Sequence, residues 1–129
     1  MSRPMILGYN LPEARLAKLR FLCMKLGLLV KSVPQEDFSQ PIGALCGVSE
    51  RIDSPEAAAL DGEMIVFCHM TSAMLDRFLQ TAMQLRLPPF PIKAMLTPTN
   101  AAWNAPQLYA ELTQERNALR SGTAAHTPD

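Results

Sequence analysis

Two short, unbroken apolar runs, PMILGY at residues 4–9 and MIVFC at 64–68, punctuate a chain whose other apolar positions recur at wider spacing. Both are too short for a helix and read as strands, and being apolar at nearly every position they predict strands covered on both faces. Helical spacing follows each run. After the first, Leu16, Leu19, Leu22, Cys23 and Leu26 recur opposite Arg15, Lys18 and Lys25, with Pro12 in the opening turn and Gly27 as the stop. After the second, Leu75, Phe78, Leu79, Ala82 and Met83 form the stripe expected to face the core, with Thr71 or Ser72 as N-cap. Residues 28–33 alternate with Lys31 outward, as an edge strand does, and 92–96 predict a fourth strand beyond the Pro88, Pro89 and Pro91 breakers. A last helix over 105–120 is expected to bury Leu108, Tyr109, Leu112 and Leu119, with Asn104 and Gln107 at capping-box spacing. Prolines 34, 41 and 55 break up the stretch before the third strand, where short helices are expected over 41–45 and 55–60, the latter capped by Ser54.

The two strand-helix runs also match each other. Moving the N-terminus forward by 59 positions lays Met5 on Met64, Ile6 on Ile65, Ala14 on Ala73, Leu16 on Leu75, Met24 on Met83, Leu26 on Leu85 and Leu28 on Leu87, without a gap. Such a match predicts an α/β fold built from two βαβ units, forming a four-stranded sheet that is parallel throughout, in the order 2-1-3-4, with helices on both faces. The alternative is a ferredoxin-like α+β fold, in which strands two and three are antiparallel neighbours and both long helices share one face. Residues 1–120 are expected to form one domain and 121–129, SGTAAHTPD, a disordered tail.

Composition narrows the classes. With 48% hydrophobic residues, 19% charged residues and a formal net charge of zero, the chain reads as globular, without the cationic surplus that binds nucleic acid or anionic membrane in bulk. The apolar runs fall far short of the ~20 residues that span a bilayer, and the start lacks a signal-peptide pattern. Three cysteines without a CxxC pair fit a reducing, cytoplasmic setting.

Candidate chemistry is sparse. Asn10-Leu11-Pro12 and His69-Met70-Thr71 stand where glycine-rich phosphate loops would be, which argues against nucleotide cofactors. A Mg²⁺ pocket would need carboxylates where Asn10 and His69 stand. Cys68 and His69 are adjacent, so as strand residues they point to opposite faces, and with Cys46 the only other nearby thiol no metal or cofactor is expected. Cys23 and Cys68 lie on apolar faces and read as inert, whereas Cys46 stays open. Asn10 and His69 occupy matching strand-to-helix turns; in an all-parallel sheet they would flank a shared crevice, while local capping is their simpler role. Thr97, Thr99, Asn100 and Trp103 form the densest polar and aromatic group, either a binding lip at the sheet end to which Lys93 adds charge, or a structural turn with Trp103 plugging the core.

The segment KAMLTPTN at residues 93–100, continuing through Trp103 to Leu112 and Glu115, resembles an uncharacterised bacterial family, domain of unknown function 3783, and the resemblance is expected to extend over nearly the whole chain. It implies a small stand-alone bacterial protein and supplies no activity. The expectation is therefore a non-enzymatic binding or regulatory module of the cytoplasm, meeting a protein or small-molecule partner. The alternative is an enzyme with a pocket at the strand ends around Asn10, His69 and Thr97, His69 acting as acid or base. A self-associating homodimer is a third reading; nucleic-acid and membrane partners are not expected.

Overall fold

The apolar runs become the two middle strands of the sheet, as their two-sided apolarity requires. In the computed structural model, which describes residues 3–53 and 59–121, the order of elements is β1 (Met5–Tyr9), α1 (Glu13–Leu26), β2 (Leu29–Val33), a 3₁₀ turn (Gln35–Asp37), α2 (Ile42–Leu45), β3 (Met64–Cys68), α3 (Ser72–Gln84), β4 (Lys93–Met95), a second 3₁₀ turn (Asn100–Ala102) and α4 (Ala105–Ser121). The expected helix over 55–60 and the expected tail fall largely or wholly outside the described residues. No helix among those described is long and apolar enough to cross a membrane.

Strand order is β2-β1-β3-β4, as expected, but the sheet is mixed. β1 is parallel to β2 and β3 is parallel to β4, each pair joined through its helix, while β1 and β3 run antiparallel with Leu7 opposite Val66. The all-parallel expectation is thus corrected. So is the ferredoxin-like alternative, because β2 is an edge strand and does not neighbour β3. The reason lies in the β2–β3 connection. Residues 35–45 do not carry the chain back along the sheet; they pack on one face and return it to the end from which β2 left, so β3 starts beside the finish of β1, with Tyr9 opposite Met64.

This arrangement gives the 59-residue offset a geometric counterpart. Leu7 and Val66, equivalent in the offset, are also directly paired in the sheet, so an approximate two-fold axis normal to the sheet passes between them. The correspondence reaches individual backbone angles: Asn10 (φ 64°) matches His69 (φ 59°), and Gly27 (φ 73°) matches Arg86 (φ 56°). Helices α1 and α3 end in the same motif, with Leu28 N–H bonded to Cys23 O and Leu87 N–H to Ala82 O, each at 2.9 Å.

An axis normal to the sheet keeps both crossover helices on one face. There Leu19, Leu22 and Cys23 of α1 and Phe78 of α3 close over Ile6, Ile65 and Phe67. The opposite face, formed by Leu7, Tyr9, Met64, Val66 and Cys68, is covered by Phe38, by Ile42 and Leu45 of α2, and by Ala105 and Leu108 of α4. Alternation along β1 and β3 sorts these side chains between the two layers. Three residues expected in the core are exposed: Leu79 and Met83 on α3, and Leu119 near the end of α4.

Candidate functional site

The antiparallel centre decides which polar residues can meet. Asn10 follows β1 and Lys93 opens β4, so both stand at one end of the sheet. His69 follows β3 and Thr97 follows β4, so they stand at the other. A crevice shared by Asn10 and His69 therefore does not exist, and the expectation that they flank one is corrected.

Neither takes the expected local capping role: α1 has no side-chain cap, α3 is capped by Thr71, and each of the two side chains reaches a distant segment. The Asn10 amide donates to the carbonyls of Leu60 (3.1 Å) and Gly62 (3.3 Å), pinning the segment that enters β3. His69 lies 3.1 Å from the Cys46 carbonyl through Nε2. Because a carbonyl only accepts, Nε2 carries the hydrogen in this contact. The Lys93 ammonium donates to Phe90 O at 3.1 Å.

The 97–103 group is a turn built on Asn100. Its buried side chain accepts from Thr97 N–H (2.8 Å) and donates to Met95 O (3.0 Å), while its own N–H donates to Thr97 Oγ1 (3.0 Å). Thr99 is exposed and gives the following 3₁₀ turn no side-chain cap. Trp103 is half-buried against the α2/α4 layer, and its carbonyl accepts from Ile42 N–H at 2.8 Å. The cap of α4 is as expected, with Gln107 N–H donating to Asn104 Oδ1 at 3.0 Å.

Two features were missed from sequence. Arg15, read as an outward-facing cation, clasps two segments: it donates to Glu63 Oε1 (3.1 Å), and to Pro88 O (2.7 Å) and Pro89 O (3.0 Å) while lying 4.1 Å over the Phe90 ring. Its signal was the PPFP segment, whose prolines cannot donate and so leave carbonyls for a guanidinium to bind. The second is a pair of apolar clefts on the α1/α3 layer. One, of about 320 Å³, is lined by Ala17, Lys18, Phe21, Leu85, Arg86 and Leu87. The other, of about 420 Å³, lies between the end of α3 and the proline segment and shares Leu87 with the first. Exposed Met83 and Leu79, both expected in the core, line the second cleft.

Thiol chemistry divides by environment. Burial pushes Cys23 up to about 12. Cys46 is held at about 7, first by the Cys68 thiol and then, against burial, by the charge of His69, whereas Cys68 is itself pushed up by Cys46 and by burial. Burial also pushes the Tyr9 phenol up, with further contributions from Cys68 and Cys46.

The molecule is a mixed four-stranded α/β protein with a charged, cleft-bearing helical face. Residues 63–119, from just before β3 almost to the end of α4, match the family described as Domain of unknown function (DUF3783). The match takes in the KAMLTPTN turn but not the first βαβ unit, so it is narrower than the sequence resemblance implied. No curated protein and no solved structure matched the chain.

Proposed function

We propose that the chain is a non-enzymatic binding module that docks an acidic segment of a partner protein, anchored by apolar side chains, on the α1/α3 layer. The observation that carries this reading is the segregation of charge around exposed apolar surface. The formal net charge is zero, yet α1 bears Lys18, Arg20 and Lys25 against Glu13 alone, its Arg15 being paired with Glu63, and from α3 to β4 Arg77, Arg86 and Lys93 face only Asp76. The remaining described carboxylates lie on other segments, among them Glu36, Asp37, Glu50, Asp53, Glu111 and Glu115.

Among these cations Phe21, Met24 and Met83 are 52%, 71% and 78% exposed. Met24 and Met83 are equivalent in the 59-residue offset, so the surface draws on both halves. Clefts rimmed by Lys18, Arg86 and Lys93 suit apolar anchors flanked by carboxylates. A second copy presenting the same face would bring like charges together, which disfavours a homodimer through this layer. The offset also supports reading the two βαβ units as copies of one half. A cytoplasmic setting fits three free thiols.

The test is a fluorescence-anisotropy titration with labelled peptides that alternate Leu or Phe with Asp and Glu, beside versions carrying Lys in place of the acids. Acidic peptides are expected to bind, more weakly as salt rises, with Arg86→Glu and Met83→Ser each lowering affinity about tenfold, or ~1.4 kcal/mol. Equal binding of the Lys peptides, indifference to both substitutions, or preference for single-stranded DNA or anionic vesicles would overturn the reading.

A further inference from the structure

Cys46 and Cys68 come from distant parts of the chain and belong to one buried layer. Cys68 closes β3, Cys46 is the C-cap of α2, and both belong to the cluster under α2 and α4. His69 locks the two segments together. Its backbone lies in the left-handed region (φ 59°), so the ring does not continue the strand alternation, and it reaches the Cys46 carbonyl at 3.1 Å. Access differs between the thiols: Cys46 is 9% exposed and leads into exposed Gly47 and Val48, while Cys68 is wholly enclosed.

We propose that Cys46 is a thiol-modification site for hydroperoxides and that Cys68 is its resolving partner, the pair closing a reversible disulfide. Local electrostatics agree with this division of roles. The charge of His69 favours the thiolate of Cys46, the thiol nearer the surface, whereas burial raises the enclosed Cys68. Among the described residues no three His, Cys, Asp or Glu side chains are arranged to hold a metal ion, so the pair is free for thiol chemistry.

The reaction balances in two steps. The Cys46 thiolate attacks one peroxide oxygen; the O–O bond breaks and the departing hydroxide takes a proton to leave as water, giving a sulfenic acid. The Cys68 sulfur then attacks the Cys46 sulfur; the S–O bond breaks, and the hydroxyl leaves as a second water with the Cys68 proton. One peroxide is reduced and two thiols are oxidised. A dithiol reductant reverses the change.

The experiment treats the reduced full chain with hydrogen peroxide, blocks residual thiols with an alkylating agent and maps them by peptide mass. The expected product is a Cys46–Cys68 disulfide with Cys23 alkylated, formed without exposure to denaturant. Cys68→Ser should stop at a Cys46 sulfenic acid trapped by dimedone, and His69→Gln should slow the loss of the Cys46 thiol several-fold. In a separate measurement on unoxidised wild-type protein, Cys46 should be alkylated about tenfold or more faster than Cys23. This measurement requires no substitution, so it stands even if a variant fails to fold. Oxidation of Cys23 at the rate of Cys46, a disulfide that appears only in urea, or an alkylation rate at Cys46 no higher than at Cys23 would overturn the proposal.

Discussion

The Asn100 side chain and backbone N–H together span the turn between β4 and α4 through three hydrogen bonds. Removing a buried, bonded amide strands its partners at ~1–3 kcal/mol. Asn100→Ala should therefore lower stability by about 2 kcal/mol, whereas Thr99→Ala, which removes an exposed hydroxyl, should stay within about 0.5 kcal/mol in a urea melt. Equal effects would show that the turn is held by composition and not by this amide. The Tyr9 hydroxyl presents the reverse case, being buried without a hydrogen-bond partner among the described residues. Tyr9→Phe deletes that unpaired group and keeps the ring against Phe38, so the melting temperature should hold or rise. Cys23 adds a pH dependence. Its folded value, near 12, lies above its ordinary value of 9.0, so its contribution is complete below pH 9 and falls between 9 and 12, where only the unfolded thiol ionises. The slope is about 1.4 kcal/mol per pH unit for one such group. Cys23→Val should lose less stability than wild type between pH 9 and 11; parallel losses would assign the alkaline sensitivity elsewhere.

At the level of elements, α1 and α3 end alike but with different residues. Gly27 takes its left-handed turn without strain, while Arg86 holds a Cβ in the same conformation (φ 56°). Arg86→Gly should raise stability by up to about 1 kcal/mol, read in a thermal melt, and no gain would mean that the Arg86 side chain offsets its backbone cost. These helices, their Gly27 and Thr71 boundaries and all four strands were legible because periodicity and capping are local signals. Strand direction was not. A strand covered on both faces is apolar in either orientation, so MILGY and MIVFC carry no trace of whether they run together or opposed. For the same reason the turn residues were identified correctly as residues but grouped wrongly: Asn10 and His69 share a conformation while standing at opposite ends of the sheet. Met83 misled differently. It falls on the helical stripe but projects where no described element covers it, and a stripe drawn for burial is indistinguishable in sequence from one left for a partner.

For the molecule as a whole, the axis between Leu7 and Val66 means that each βαβ half offers its inner strand to its counterpart, as subunits do across an isologous interface. Covalent joining tethers the halves and so raises their local concentration. Two separate chains, 1–53 and 59–129, should accordingly assemble when mixed and recover the circular-dichroism spectrum and cooperative melt of the intact protein, at a midpoint that rises with concentration. Fragments that each remain unfolded after mixing would show that the tether itself contributes essential structure. Recovery would carry an evolutionary implication: a gene of half this length could have encoded a dimer, with the residue now represented by Leu7 and Val66 facing its own copy across the axis, and duplication would then have freed each half to change alone, leaving a glycine at one helix end and an arginine at the other.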